Sequence, residues 1–362
     1  MKKPIELYIH IPFCIHKCAY CDFPSRVGSL DEQEVYVKDL INKIEDKKNF
    51  AKNYQVRTLF VGGGTPTILG RELLCELLEK VHQVFDTSAL IEATVEMNPK
   101  TANKDLLLML KNNGINRLSI GLQSTIDEEL RGLSRIHTFS DFLRSYEEAR
   151  EVGFSNINID LMSGIPLQTR KSWVKTLERV LTISPEHISA YSLIIEEGTT
   201  FFSRNEKGEL ILPDEESERW MYWETARMLQ ENGYHHYEIS NYAKPGYECC
   251  HNLGYWEGHE YLGLGYKAAS LLDNIRFVEG EEPMHLSKEN RMEEFMFLGL
   301  RKTEGISRVG FWEEFQQNID QVYGKVLKDM KEKGLLMEKN ERIFLTEKGI
   351  DLSNYVMSEF LF

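Results

Sequence analysis

Three cysteines near the start of the chain, in Cys14-Ile-His-Lys-Cys18-Ala-Tyr-Cys21, are spaced for chemistry. Three thiolates on one short loop can hold three irons of a cubane cluster and leave the fourth iron without a protein ligand. Clusters ligated by four cysteines mainly carry electrons. A site one ligand short keeps a coordination position open for a reactant, as catalytic zinc sites do. The competing reading is a structural zinc site or free thiols. Zinc takes four ligands, commonly as two C-x2-C pairs, and no second pair occurs here. Cys75 falls in an apolar helical stretch over 72–84 and reads as a core thiol. Cys249 and Cys250 are adjacent and far downstream, so His16 is the nearest fourth candidate. A 4Fe–4S cluster on Cys14, Cys18 and Cys21 is the expectation.

A loop of this kind needs a scaffold. Strand patterns at 6–9, 57–61, 91–97, 117–120, 156–161 and 187–192 alternate with helical patterns at 31–48, 71–85, 104–112, 139–152 and 171–182. Alternation of this kind predicts a parallel sheet covered by crossover helices. Six units are too few for a closed eight-stranded barrel, so the expected fold class is α/β, an open six-stranded partial (β/α)6 barrel. The rhythm is lost after Ser192. Residues 201–218 read as an acidic surface excursion and 218–233 as one amphipathic helix. Residues 242–272, rich in Gly, Tyr and Trp, read as functional loops. Helical patterns at 289–300, 311–315 and 319–334, then a hairpin over 335–345 and a further helix, predict a small winged-helix-like α+β module. The expected division is 1–210, 211–280 and 281–362: barrel with cysteine loop, connecting helix with loops, and C-terminal module.

In parallel α/β barrels, reacting groups collect at the C-terminal ends of the strands. Polar residues do so here. Tyr8 precedes the cysteine loop and Tyr20 lies within it. Gly62-Gly63-Gly64-Thr65-Pro66 ends the second strand, Glu96 and Asn98 the third, Ser119 and Gln123 the fourth, Asp160 the fifth and Tyr191 the sixth. Glycines at a strand end let a ligand approach backbone, although they can equally serve a turn. Carboxylates at the ends of buried strands need partners. A ligand's hydroxyl or ammonium groups would serve Glu96 and Asp160, and so would an ion pair with Arg135 or Lys100. His10, between Ile9 and Ile11, reads as a hydrogen-bonded core histidine.

The C-x3-C-x2-C spacing resembles the signature of the radical S-adenosylmethionine superfamily. Further stretches resemble its oxygen-independent coproporphyrinogen III oxidase-like group: Tyr8-Ile-His-Ile-Pro-Phe-Cys14, Gly62-Gly63-Gly64-Thr65-Pro66-Thr67, Glu96-Met97-Asn98-Pro99, Ser119-Ile-Gly-Leu-Gln123-Ser and Asn158-Ile-Asp160-Leu-Met-Ser-Gly-Ile-Pro166. The resemblance spans nearly the whole chain. It implies S-adenosylmethionine contacts at Tyr8, Tyr20, Gly63, Gly64, Thr65, Glu96, Gln123, Arg135 and Asp160. Within the group the chain is similar to the haem-chaperone branch. Phe23 stands where the oxidases have a further cysteine, and only seven residues precede Tyr8. His251-Asn-Leu-Gly-Tyr255-Trp256 matches the H-N-x-x-Y-W motif by which that branch binds haem. Histidine is a common axial haem ligand, and Tyr255 and Trp256 offer flat faces to a porphyrin. Cys249 and Cys250 offer a further thiolate or an attachment point. A buried, hydrogen-bonded structural histidine is the alternative. Gly263-Leu-Gly265-Tyr-Lys-Ala-Ala-Ser270 departs from the branch, with alanine where its members often carry histidine.

The formal net charge is −14, which opposes nucleic acid as the main ligand because phosphate contacts need a basic surface. No apolar run approaches the ~18 residues of a membrane span, and the N-terminus lacks a signal core. Six cysteines without a framework pattern suit a reducing compartment, so a cytoplasmic location is expected. The resemblance implies three cofactors or cargoes: a 4Fe–4S cluster, S-adenosylmethionine and haem. It implies an apo-haemoprotein acceptor as partner, respiratory and membrane-docked, and leaves a homodimer open. Porphyrinogen oxidase activity is not expected, while cleavage of S-adenosylmethionine stays open to the intact site. The rival functions are that oxidase and a haem-degrading radical methyltransferase.

Overall fold

The computed structural model describes residues 2–362. Six parallel strands run in sequence order: β1 (Lys3–Ile11), β2 (Tyr54–Gly63), β3 (Glu92–Met97), β4 (Arg117–Gln123), β5 (Ile157–Ser163) and β6 (His187–Ser192). Between them lie α1 (Leu30–Asp46), α2 (Gly70–Val84), α3 (Lys104–Asn112), α4 (Phe139–Val152) and α5 (Arg170–Ile183). Capping boxes start α1 at Ser29, α4 at Thr138 and α5 at Thr169, where hydroxyl and N3 side chain satisfy orphan N–H groups reciprocally. The partial barrel is open as expected, but its edges are not bare.

After α6 (Glu215–Glu231), β7 (His235–Glu238) and β8 (Asn241–Ala243) extend the β6 edge antiparallel. A short helix, α7 (Cys250–Trp256), follows and packs against β2. Then β9 (Tyr261–Leu264) pairs parallel with β1, and β10 (Ala269–Leu272), β11 (Ile275–Val278) and β12 (Met284–His285) continue outward antiparallel. The result is one sheet of twelve strands. The loops expected over 242–272 are therefore corrected to strands and a helix. Their strands are three or four residues long and gain stability only from pairing with distant partners.

Alternation along β1 explains how the site is built. Ile5, Leu7, Ile9 and Ile11 are buried in the main core with Val37, Leu40 and Ile44 of α1. Glu6, Tyr8 and His10 therefore face the other way, into the lumen. The strand register then lays polar side chains out in rows. Glu6 pairs with Thr58 of β2, and Thr58 with Glu92 of β3. Two layers further along the strands, Glu96 pairs with Ser119, Ser119 with Asn158 and Asn158 with His187.

The C-terminal module follows the sequence expectation. It has helices at Lys288–Gly299, Arg308–Phe315 and Ile319–Glu332 and a three-stranded sheet with Arg342–Leu345 between Leu336–Lys339 and Ile306–Ser307. It holds its own core around Met296, Phe311, Phe315, Tyr323 and Phe360. It joins the body through Ile239 N–H to Arg301 O at 3.0 Å and Trp223 Nε1 to Asp351 at 2.9 Å. Phe311 is fully buried at the centre of that core. Phe311→Ala should lower unfolding stability by about 3–5 kcal/mol, read as a shift in denaturant midpoint; an unchanged midpoint would mean the module contributes little to the fold.

Candidate functional site

The cysteine loop leaves β1 and is closed at its neck by backbone bonds, Cys14 N–H to Arg26 O at 2.9 Å and Arg26 N–H to Pro12 O at 2.8 Å. Fully buried Phe13 anchors it. The glycine turn fits tightly beneath. Gly64 N–H donates to Ile11 O at 2.8 Å, and a Cβ on Gly64 would lie 2.4 Å from Phe13 O and 3.0 Å from Cys14 Sγ. Glycine is thus required at Gly64 for close approach, and at Gly63, with its positive φ of 113°, for the turn. Thr65, buried under the loop, donates to Cys14 Sγ at 3.6 Å and accepts from Asn98 Nδ2 at 2.7 Å.

Cys14, Cys18 and Cys21 are half-buried free thiols that line one cleft with Tyr20, Gly63, Gly64, Glu96, Gln123, Arg135 and Asp160. His16 is exposed. The cleft's chemistry suits a thiolate-held cluster with a cationic cofactor. Arg135 donates to Cys18 Sγ at 3.5 Å, to Asn98 Oδ1 at 2.5 Å and to Gly121 O, while its buried Nε has no partner. Burial pushes the Cys14 and Cys21 thiols up, so a metal must displace their protons on binding. Gln123 holds a positive φ of 71° and accepts from Tyr191 OH at 3.1 Å. Such a backbone is strained for a residue with a side chain and persists where the surroundings enforce it.

Glu96 and Asp160 carry no ion pair among the described residues. Arg135 is committed elsewhere, and Lys100 reaches Asp141 at 3.8 Å. The ion-pair alternative is therefore set aside. Glu96 accepts only Gly63 N–H, at 2.9 Å. Burial first, and the Asp160 charge second, push its pKa up to about 8. Burial also raises Asp160, against bonds from Asn158 and Ser119. A cation entering this space would meet two underpaired carboxylates.

Tyr8 faces a different space. Pro24 O can only accept, so at 3.0 Å it takes the proton of His10 Nε2, and Nδ1 accepts the Tyr8 hydroxyl at 2.8 Å. His10 is the satisfied core histidine expected. Tyr8, Phe60, His251, Tyr255, Trp256 and Tyr261 line a second cavity of ≈450 Å³. Glu96 lines both cavities, so the haem motif and the cysteine cleft are neighbours across one side chain.

Helix α7 sits on the Glu6–Thr58–Glu92 row. The Glu92 carboxylate accepts Cys250 N–H at 2.9 Å, His251 N–H at 3.0 Å and the Cys249 thiol at 3.4 Å. Carboxylates are favoured at helix N-termini, where N–H groups lack intrahelical partners. Thr58 Oγ1 bonds His251 Nδ1 at 2.8 Å, and Phe60 stacks on its ring at 5.1 Å. A Cβ on Gly254 would lie 1.7 Å from Glu6 Oε1, so only glycine lets the helix seat on Glu6. His251 is 1% exposed, and its Nε2 bonds Tyr255 OH at 2.9 Å. Burial, then the Arg117 charge, lowers its pKa to about 3, leaving a neutral imidazole. A metal at Nε2 must displace the Tyr255 hydroxyl. Cys249 is fully buried with its thiol raised by burial, and burial pushes Cys250 up to about 11. Neither is poised as the thiolate considered from sequence.

The sequence reading missed Glu6, Thr58, Glu92 and a second link between the cavities. Cys249 N–H donates to Tyr237 OH at 3.1 Å, and that hydroxyl bonds His187 Nε2 at 2.7 Å. His187 Nδ1 bonds Asn158 Oδ1 at 2.6 Å, and Asn158 Nδ2 donates to Asp160 at 2.6 Å. The available signal was a charged or polar residue at the start of, or within, the first three strand patterns.

A parallel partial barrel with a thiol-bearing loop at its strand ends defines the class. The radical SAM superfamily model matches residues 8–180, and the HemN C-terminal domain model matches 286–352. The cofactors of that class are a 4Fe–4S cluster and S-adenosylmethionine. Over 98% of both chains, the protein is 39% identical to heme chaperone HemW of Bacillus subtilis. It is 33% identical to radical S-adenosyl methionine domain-containing protein 1 of Danio rerio, over 88% of this chain and 78% of that one. In fold it is similar to coproporphyrinogen III oxidase (HemN) from Escherichia coli, with a TM-score of 0.87 and 23% identity over 99% of this chain and 90% of that one. The chain belongs to the HemW family of radical SAM proteins.

Glu96 makes a pH-dependent prediction. An acid whose folded pKa exceeds its unfolded value holds its proton more tightly when folded, so stability falls as pH rises from 4.5 towards about 8. Glu96→Gln removes that loss. The variant without ligands should melt higher than the unsubstituted chain at pH 8, and the two should converge near pH 5. Equal differences at both pH values would contradict the assignment.

Proposed function

We propose that this protein is a haem chaperone: it binds one haem in the His251 cavity and passes it intact to an apo-haemoprotein. The observation that carries this reading is the cavity itself. Five aromatic side chains and one buried neutral histidine surround a space beside the cysteine cleft, and the helix that carries the histidine is seated on Glu92 and Thr58. The curated relatives similar over nearly the full chain are named heme chaperones. Phe23, exposed in the cysteine loop where the oxidases carry a further cysteine, disfavours the decarboxylation reading. Among the described residues no helix is long and apolar enough to cross a membrane. The proposed setting is the cytoplasm, with a respiratory acceptor docked at a membrane and no nucleic acid partner.

In this reading Cys14, Cys18 and Cys21 hold the cluster. Glu96 and Asp160 receive the cationic and hydroxyl groups of S-adenosylmethionine, Gly63 and Gly64 present backbone to it, and Gln123 and Arg135 close the cleft. Bound at the open iron, the cofactor is a source of reductive cleavage chemistry. Tyr8 keeps His10 oriented against the cysteine loop and contributes its ring to the haem cavity. Tyr20 covers the cleft from the loop side, and Thr65 supports Cys14. His251 would hold the haem iron through Nε2, releasing the Tyr255 hydroxyl, and Trp256 would offer a flat wall.

The exchange at Nε2 gives opposite predictions for two neighbours. In anaerobic titrations of the cluster-reconstituted chain, followed at the Soret band, His251→Ala should weaken haem binding at least about tenfold. Tyr255→Phe frees Nε2 from a hydrogen bond worth ~1 kcal/mol and should tighten binding about fivefold. Binding indifferent to His251, or weakened as much by Tyr255→Phe, would overturn the ligand assignment.

A further inference from the structure

The haem cavity has a floor that ends in a cation. Tyr261 on β9 pairs with Leu271 on β10, which pairs with Arg276 on β11, and at the inner end Glu6 of β1 pairs with Tyr261. Directly paired residues share a face of the sheet. Tyr261, Leu271 and Arg276 all line the cavity, and Arg276 is the one Lys or Arg among the described residues that do. The row starts beneath α7 and His251 and runs three strands outward to the guanidinium. An apolar, aromatic space with a single cation at its outer end fits a flat amphiphile that carries anionic groups along one edge.

The charge balance around Arg276 leaves it available. Glu294 Oε1 lies 2.8 Å from one terminal nitrogen of Arg276, while Glu294 Oε2 lies 3.0 Å from Arg291. Two guanidiniums share one buried carboxylate. Glu314 approaches only Arg291, at 3.9 Å and half exposed. A guanidinium carries five N–H donors in a planar fork that matches a carboxylate, so the Glu294 ion pair and a contact with the Tyr261 hydroxyl leave donors free.

We infer that Arg276 is the carboxylate-binding residue of this cavity. It takes a propionate of the bound porphyrin and holds the ring over the Tyr261–Leu271 floor with its metal turned towards His251. The inference rests on the haem reading above and adds an orientation to it. The competing role is a brace, in which Arg276 only ties β11 to the Lys288–Gly299 helix through Glu294.

The test compares haemin with haemin dimethyl ester, whose carboxylates are blocked, on the anaerobic cluster-reconstituted chain. The unsubstituted protein should bind haemin about tenfold more tightly than the ester, as one charge-assisted contact allows. Arg276→Gln should erase that preference by weakening haemin alone, and Arg276→Lys should restore part of it. Equal binding of haemin and ester by the unsubstituted protein would overturn the inference and leave the chaperone reading standing. Equal weakening of both ligands in Arg276→Gln would identify a brace and overturn it too. If the unsubstituted protein binds neither, the chaperone reading falls and the inference with it. The first comparison needs no variant, so a substitution that fails to fold does not block the test.

Discussion

A row of three polar side chains in the barrel lumen, Glu6, Thr58 and Glu92, fixes where everything else can go. The register of β1, β2 and β3 sets the row, and the lumen would otherwise leave its oxygens unpaired. Burying such groups without partners is costly. Helix α7 supplies part of what they lack, N–H groups for Glu92 and the His251 ring for Thr58, while Glu6 Oε1 bonds His259 just beyond the helix at 3.1 Å and its Oε2 stays without a partner. The haem motif therefore sits on the sheet as a hydrogen-bonding complement and not as a loop laid across it. His251 is oriented by its bond to Thr58, and Tyr255 by its bond to His251.

From that seat two routes lead to the cysteine cleft. One runs along β1, whose lumenal residues pass from Glu6 beside α7, through Tyr8 in the haem cavity, to His10 against the carbonyl of Pro24 in the cysteine loop. The other is the buried chain from Cys249 through Tyr237, His187 and Asn158 to Asp160. Glu96 stands between the cavities and lines both. Its proton is held by burial and by Asp160, so a charge arriving on either side acts on the same carboxyl. One side chain thus borders both the cysteine cleft and the aromatic cavity of ≈450 Å³.

Much of this was legible in the sequence. Strands buried on both faces read as apolar runs, helices carried capping residues, and Lys104–Asn112, Phe139–Val152 and His187–Ser192 match the structure residue for residue. The polar residues that end strands β2 to β6 were visible because such residues interrupt apolar runs. Strands β7 to β12 were not, because segments of two to four residues have no period of their own. β9 exists because β1 offers it a free edge, which is a property of the assembled sheet. Glu6 and Glu92 stood in the sequence as charges at strand starts, but their task depends on register across three strands. The Tyr255 hydroxyl on His251 Nε2 was beyond a motif reading, since i, i+4 spacing makes two side chains neighbours without saying which atoms meet.

The central claim is that haem and cluster occupy adjacent cavities separated by Glu96. Iron anomalous scattering from crystals grown anaerobically with the cluster, S-adenosylmethionine and haem tests it directly. The account predicts a compact group of irons at Cys14, Cys18 and Cys21 and one separate iron beside His251, within the cavity walled by Phe60 and Tyr261. A haem iron found on the outer surface, or bound through Cys250 away from that cavity, would contradict it.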